Sequence, residues 1–292
     1  MANSIFSIAP IQSTDAEFRA WGSTLSAQIG AMLTRFVTSN DIDFLTVAKP
    51  TATNTFMGFE VYRFNDAAQT THPLFFKFEY GSALSNASLM SIRLTIAKAC
   101  DAAGVLSGIL FGPTIVSSSS FSNSIAQTSY ISSSDSHFAW ALCVPLNTTV
   151  GGCLIIERAV NSDGSTNGDG LWIAYKLYNL ASVQWGANVF IAYTAGSSNT
   201  LTGAGIFPTP LILTSGQSLA NGTVTPYFPA ACLAPNGLYW IPRVALGGAL
   251  VDCAAGVVVN SLLDGNDYIG VGFVGGMCDQ RNNQFAGMLM RW

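Results

Sequence analysis

The sequence predicts a mainly β protein, in which an N-terminal amphipathic helix precedes an antiparallel β-sandwich or barrel-like architecture of one or two β-lobes. Three observations predict this fold class. Apolar residues recur at helical spacing only near the N-terminus. Beyond residue 57, short runs alternate apolar and polar residues with the period of two that is typical of strands. Turns rich in glycine, asparagine and serine separate these runs, as in many-stranded antiparallel proteins.

The helix is predicted over residues 15–36, within an N-terminal arm that covers residues 1–56. Thr14 and Glu17 have the spacing of a capping box, in which the hydroxyl accepts a backbone N–H and the glutamate reaches back to the cap. Two interpretations of its apolar stripe are open: it covers the protein's own sheet, or it is a subunit-interaction surface and the candidate site. The stripe consists of Phe18, Trp21, Leu25, Ile29, Met32 and Phe36.

The rest of the chain is predicted to form two β-regions, residues 57–115 and 137–292, joined by a Ser-rich loop or linker at 116–136. The alternation is clearest at residues 74–80 and 90–97. Further strands are predicted at residues 137–144, 153–159, 171–178, 189–194, 238–245, 268–274 and 285–291.

The charge content is low, since 10% of the 292 residues are charged against roughly 25% in an average soluble domain. With 49% hydrophobic residues the chain is not predicted to be disordered, and a net charge of -4 argues against a nucleic-acid partner. Residues 177–242 carry no charge, but polar residues and glycines interrupt them every few positions, so no membrane span is expected. The N-terminus lacks the pattern of a signal peptide.

The residues that could carry chemistry are few and do not form a recognised motif. His72 is expected in a turn, and His137 is expected to begin a strand. The loop at residues 161–170 is rich in oxygen ligands, but its spacing does not fit an EF-hand, so we interpret it as a solvated hairpin turn. No nucleophile elbow, zinc-binding helix or phosphate loop occurs. We therefore expect neither an enzyme activity nor a cofactor or metal.

Cysteines and tryptophans are also interpreted as structural residues. The six cysteines, at positions 100, 143, 153, 232, 253 and 278, form no C-x-x-C pair, and we expect reduced, buried thiols, although three disulfides stay an alternative. Four tryptophans lie in or near apolar runs, where core packing is the default and a sugar-stacking platform is the alternative. These are Trp140, Trp172, Trp185 and Trp240.

Several segments resemble a family of tailed-bacteriophage virion structural proteins, often encoded among tail and tail-fibre genes. Tyr62 and Phe44 depart from the family pattern, which carries tryptophan at both places, and the Ser-rich stretch near residue 117 is an insertion. The matching segments are residues 17–23, 41–50, 58–66, 75–82 and 155–158, the turns at 163–164 and 169–170, and the C-terminal residues 290–292.

The resemblance implies a place in a virus particle and carries no catalytic residue. We expect a non-enzymatic structural component of a bacteriophage virion, assembled in the host cytoplasm and present in multiple copies on the neck or tail. Its expected partners are other virion structural proteins and copies of itself. The alternatives are a receptor-binding or tail-fibre protein that contacts a host-surface polysaccharide, or a capsid decoration protein. The low charge favours a packed subunit, because uncharged polar surface is desolvated at lower cost.

Overall fold

A computed structural model defines the fold for sixteen parts of the chain. The described residues are 2–8, 14–38, 48–82, 87, 90–118, 127–143, 150–177, 185–193, 198–201, 228–229, 232–233, 239–240, 245–248, 256–260, 265–273 and 287–292. They contain one α-helix, a 3-10 turn and 19 strands, so the prediction of a mainly β, antiparallel protein is confirmed. No helix among the described residues is long and apolar enough to span a bilayer.

Helix α1 spans Asp15–Met32 and begins at the predicted capping box. Thr14 Oγ1 accepts the backbone N–H of Glu17, and the Glu17 carboxylate accepts the backbone N–H of Thr14. The helix ends four residues before the predicted position, because Leu33 is extended and Thr34–Thr38 forms strand β2. The β-branched and aromatic residues of that segment favour a strand, so the predicted end at residue 36 was wrong.

Twelve strands form the main antiparallel sheet. They are β1 Ala2–Ile8, β2 Thr34–Thr38, β3 Phe56–Arg63, β4 Phe75–Ser82, β5 Met90–Cys100, β6 Leu106–Ser118, β7 Gln127–Ser134, β8 His137–Cys143, β9 Val150–Val160, β10 Thr166–Leu177, β11 Trp185–Ala192 and β12 Ser198–Leu201. The strand order is β1-β7-β8-β9-β6-β5-β4-β3-β2, and β10, β11 and β12 branch from β9. A 3-10 turn at Ala67–Thr70 follows β3.

Two smaller sheets contain the remaining described strands. The first has the order β13-β16-β19-β18-β17, and β14 pairs with β15 in the second. Their bounds are β13 Phe228–Pro229, β14 Cys232–Leu233, β15 Tyr239–Trp240, β16 Ala245–Gly248, β17 Val258–Asn260, β18 Asp267–Phe273 and β19 Gly287–Arg291.

The main sheet curls around α1, because strands from both ends of its order contact the same helix. One buried apolar cluster joins side chains of α1 to inward-facing residues of β3 to β10. The predicted alternation is confirmed in β5, where Met90, Ile92, Leu94 and Ile96 are wholly buried on one face. The architecture is thus an open, barrel-like sheet with the helix in its opening.

Strand β7 occupies part of the segment that was predicted to be a Ser-rich loop or linker at 116–136. This prediction was wrong for residues 127–134, which form an inner strand between β1 and β8. Two of its serines lie under the helix with bonded hydroxyls: Ser129 Oγ accepts the Trp140 Nε1 proton at 2.8 Å, and Ser133 Oγ donates to the Met32 carbonyl at 3.0 Å. Residues 119–126 lie outside the described residues.

Candidate functional site

The apolar stripe lies mainly in the chain's own core. Phe18, Trp21, Leu25 and Ile29 are all at most 2% exposed, and they belong to the cluster shared with the sheet. Met32 is half-buried against that cluster, so five of the six side chains are not a free docking surface. The proposed subunit-interaction stripe is corrected accordingly, and its alternative, covering the chain's own sheet, describes the structure.

Phe36, the sixth member of the predicted stripe, lies on β2. The pairing of β2 with β3 skips Phe36, since Arg35 lies opposite Tyr62 and Val37 opposite Val61. Phe36 is therefore the extra residue of a β-bulge, which interrupts the ladder and bends the strand. Its ring is 38% exposed and makes an edge contact with Phe75, 4.8 Å between ring centroids.

The opposite side of α1 faces solvent, and small side chains occupy its centre, with Arg19 and Glu17 at its margins. Ser26 and Gln28, about 200° apart around the helix, reach the two walls of the curled sheet. The face between these walls, opposite the apolar stripe, is exposed and points out of the opening. We call it the small-residue face; it consists of Ala16, Ala20, Ser23, Ala27 and Ala31.

A buried polar cluster joins α1 to the wall that ends in β2. The Glu60 carboxylate, 1% exposed, accepts hydrogen bonds from Ser26 Oγ at 2.8 Å, Tyr62 Oη at 2.7 Å and Tyr80 Oη at 3.1 Å. Arg35 Nη2 on β2 completes the set at 2.8 Å from the carboxylate. We call these five residues the Glu60 cluster. It uses every carboxylate oxygen, so it leaves no acceptor for a substrate.

The electrostatics of the Glu60 cluster keep the two phenols neutral. Burial raises the pKa of Tyr62, and the charge of Glu60 raises it further. Burial likewise raises the pKa of Tyr80 well above its usual value. Burial lowers the pKa of Arg35, but the hydrogen bond with Tyr62 and the charge of Glu60 outweigh this and raise it. The cluster is a carboxylate–guanidinium pair with two permanent hydroxyl donors, which anchors β2 to the core.

The other wall ends in β1, and Gln28 bridges β1 and β7. Gln28 Nε2 lies 3.3 Å from the Ser4 carbonyl oxygen and 3.1 Å from the Ser129 carbonyl oxygen. Ser4 pairs with Ile131, and Phe6 pairs with Ser129, two residues further along the same ladder. One nitrogen can reach both oxygens only if the two carbonyls point toward each other, into the space between the strands.

The Gln28 contact shows which backbone groups of β1 face β7 and which face outward. In an antiparallel strand the N–H and C=O of one residue point to the same side, and alternate residues point to opposite sides. Ser4 and Phe6 therefore bond to β7, whereas Asn3, Ile5 and Ser7 direct their backbone groups to the outer edge. Among the described residues no strand pairs with that edge. Ile5 is 47% exposed there.

A cleft of about 370 Å³ opens where β1 and β2 begin and α1 ends. Arg63 and Asp135 bring opposite charges to its wall. The helix end is partly capped within it, because the Met32 carbonyl accepts the Ser133 hydroxyl. The cleft marks one end of the opening in the sheet.

A second buried cluster lies just after the C-terminal end of β3. Arg158, wholly buried on β9, places Nε 2.6 Å from Asp66 Oδ2 and donates from Nη2 to Gln69 Oε1 at 3.0 Å. Burial lowers the pKa of Arg158, and the charge of Asp66 opposes this shift. The ion pair ties the 3-10 turn to the sheet. It joins two of the segments that carry the family resemblance, residues 58–66 and 155–158.

His72 lies in the bend after the 3-10 turn, and His137 lies at a strand end. His72 Nε2 lies 3.2 Å from Asp169 Oδ1 beside the β9–β10 hairpin. His137 begins β8, as predicted, and its Nδ1 bonds to Ser134 Oγ across the β7–β8 turn. Because Ser134 Oγ also accepts the Ser136 N–H at 3.4 Å, this hydroxyl serves to close the turn.

The oxygen-rich loop is a hairpin turn, as predicted, between β9 and β10. Asp163 accepts the side-chain and backbone donors of Ser165, which lower the pKa of its carboxyl group. Within the part of the chain that the structure describes, no group of three or more His, Cys, Asp or Glu side chains is arranged to hold a metal ion.

The cysteine and tryptophan predictions are tested only in part. Cys100 is a half-buried free thiol, and the side chains of the other five cysteines lie outside the described residues. Trp140 and Trp172 are buried, as core packing requires. The side chains of Trp185 and Trp240 lie outside the described residues. The buried tryptophans do not form a sugar-stacking platform.

No protein-family model, curated protein or solved structure matches the chain.

The surface that sequence reasoning missed is the outer edge of β1, together with the small-residue face beside it. A run of seven uncharged residues containing Ile5, Phe6 and Ile8 was the available signal for a strand. Its position at a sheet edge depends on pairing with β7, more than 120 residues away, and no local pattern records this.

Proposed function

We propose that the chain is a non-enzymatic structural subunit of a bacteriophage virion, assembled in multiple copies on the neck or tail. The observation that carries the proposal is the outer edge of β1, a strand of seven residues without charge, proline or glycine. Soluble proteins normally protect such edges with charges, prolines or bulges, because an open edge pairs with another chain. No strand of the described residues pairs with this regular edge, which is a feature expected of a protein that assembles.

The buried polar clusters support a structural role. Glu60 and Arg158 are buried, and their charges are paired with other side chains of the chain. Such pairs stabilise a specific arrangement only while both partners are present. Several segments that carry the resemblance to virion proteins contribute to these clusters, which accounts for those segments through folding rather than catalysis.

The low charge of the chain supports the same role. Burying uncharged polar groups in a subunit interface costs less than burying ions, and repeated copies around a symmetric particle bury such surfaces at every contact. Trp21, Trp140 and Trp172 are buried, so these three rings do not supply a stacking surface for a host glycan.

The proposal is tested on particles purified from the phage that encodes the chain. Quantitative mass spectrometry should find the chain in the particle, and a cryo-EM map should place it on the neck or tail. A copy number in the tens fits a symmetric neck or tail. Hundreds of copies on the head would establish a decoration protein instead, and absence from the particle would refute a virion role.

A further inference from the structure

We propose that the outer edge of β1 binds the same edge of a second copy of the chain, so that two main sheets join into one across a two-fold axis at Ile5. The inference rests on the proposed function, because it names the partner that binds the edge on which the proposed function is based. The occupant is a copy of this chain, for the following reasons.

The hydrogen-bond pattern selects one register. Asn3, Ile5 and Ser7 present the outward N–H and C=O groups of β1, and two identical antiparallel strands can pair them all in one way only. Ile5 then lies opposite Ile5 of the second copy, and each Asn3 lies opposite a Ser7. Every opposed pair exchanges two hydrogen bonds. A shift to either side would leave one outward residue of each strand unpaired.

The side chains of β1 are compatible with this self-pairing. The outward pattern is polar, apolar, polar about Ile5, so the two-fold axis places like against like. Because β1 carries no charge, two copies meet without repulsion between like charges along the strand. The pairing of β1 with β7 is continuous over residues 2–8, without a bulge, so the edge is straight enough to accept another strand.

The small-residue face of α1 leaves room for the second copy. Gln28 places α1 beside the space between β1 and β7. Since β1 ends this wall, its free edge and the small-residue face both point out of the opening. The two-fold axis then brings the small-residue faces of both helices together, about two strand spacings or roughly 10 Å apart. This is the interaxial distance of packed helices with small side chains at the contact.

The affinity test is sedimentation equilibrium of the purified full chain. We expect a concentration-dependent dimer. Ile5→Lys should weaken dimerisation by at least about 100-fold, because it sets two like charges directly opposite each other. Val258→Lys is the matched control, since Val258 is 51% exposed on the edge strand β17 of another sheet. It should leave the dimer unchanged. A monomeric wild-type chain, or equal loss in both variants, would overturn the proposal.

The register test uses cysteine pairs, with wild-type protein as background. In Ile5→Cys the two new cysteines would face each other at about 5.5 Å between Cα atoms, within disulfide range. In Ser7→Cys they would be four residues out of register, roughly 13 Å apart. Mild oxidation should cross-link Ile5→Cys and not Ser7→Cys. Both positions are exposed, and circular dichroism checks their folding. Equal cross-linking of both variants would exclude this register.

The outcomes separate this inference from the proposed function. A chain that dimerises through Ile5 but is absent from purified particles would overturn the virion role and leave the edge pairing established. A chain found in particles that sediments as a monomer, without cross-linking at Ile5, would overturn the edge pairing and leave the virion role in place.

Discussion

Two edge strands of the main sheet, β1 and β2, flank the same helix and differ in how far they are protected. On β2 a bulge at Phe36 interrupts the ladder, and Arg35 adds a charge that is anchored to Glu60. On β1 the register is regular, and the strand carries neither charge nor proline. Bulges and charges are the usual means by which proteins prevent edge-to-edge pairing. Among the residues that the structure describes, β2 therefore carries the usual protection against edge-to-edge pairing, and β1 does not.

The attachments of the two edge strands to α1 also differ: β2 is held by a buried charge, and β1 is held by neutral hydrogen bonds. Next to β2, the buried Glu60 carboxylate accepts a hydrogen bond from Ser26 of the helix. Gly30 leaves room for this contact, since a Cβ there would lie 2.7 Å from Arg35 Nη2. Next to β1, Gln28 forms neutral hydrogen bonds to backbone carbonyls that already belong to the ladder. Gln28 thus fixes the position of β1 without using its outward backbone groups.

The largest effect is expected from breaking the helix that both edges share. Changing Trp21 and Leu25 together to Asp should prevent folding, because it removes two buried apolar side chains at about 2–5 kcal/mol each and buries two charges. The sum exceeds the lower end of typical domain stability, about 5 kcal/mol. Circular dichroism and thermal unfolding measure this. The control is Ala20→Asp with Ala27→Asp on the small-residue face, which should fold. A folded Trp21/Leu25 variant would show that these side chains are not in the core.

A smaller effect is expected from removing the anchor of β2. Glu60→Ala deprives three buried hydroxyl groups of their acceptor and should lower the free energy of unfolding by about 3 kcal/mol, as measured by urea denaturation. Glu79→Ala is the control, because its bidentate ion pair with Arg93 is partly exposed and leaves one partner unpaired rather than three hydroxyl groups; it should cost less, about 1–2 kcal/mol. Equal losses would mean that the cluster does not anchor β2 more firmly than the Glu79–Arg93 pair holds its own strands.

The smallest effect is expected from proline substitutions on β1, which distinguish the residues bonded to β7 from the residues that face outward. Phe6→Pro removes an N–H that is bonded to β7. It should lower the free energy of unfolding by about 2 kcal/mol or more relative to Phe6→Ala. Ile5→Pro removes only an outward N–H, so its cost relative to Ile5→Ala should stay below about 1 kcal/mol. Urea denaturation of the four variants at low protein concentration gives the comparison. The reverse order would mean that the outward residues of β1 are misassigned.

Local patterns predicted the parts of the fold that depend on neighbours in sequence. The capping box at Thr14 and the alternation around Ile92 were read correctly, because hydrogen bonds within four residues and a period of two determine them. The end of α1 and strand β7 were predicted wrongly. Both depend on distant contacts: β7 buries serines such as Ser129 under a helix about 100 residues away.

The candidate site was predicted less well than the fold. The apolar stripe indicated an amphipathic helix correctly, but a stripe such as Trp21 and Leu25 has the same spacing whether it faces its own sheet or another subunit. The opposite face, with Ala20 and Ala27, attracts no attention in a hydrophobicity pattern. The free edge at Ile5 follows from strand order, which the sequence does not record. The resemblance to virion proteins stays a prediction until particles are analysed.

Backbone amide hydrogen exchange by NMR at low and high protein concentration tests the open edge most directly. In dilute solution the amides of Ser4 and Phe6 should exchange slowly, and those of Asn3, Ile5 and Ser7 quickly, since only the first pair is bonded to β7. At high concentration Asn3, Ile5 and Ser7 should become protected while Ser4 and Phe6 change little. Protection of all five amides in dilute solution, or exchange at Ile5 that is independent of concentration, would contradict an open edge that pairs with its own copy.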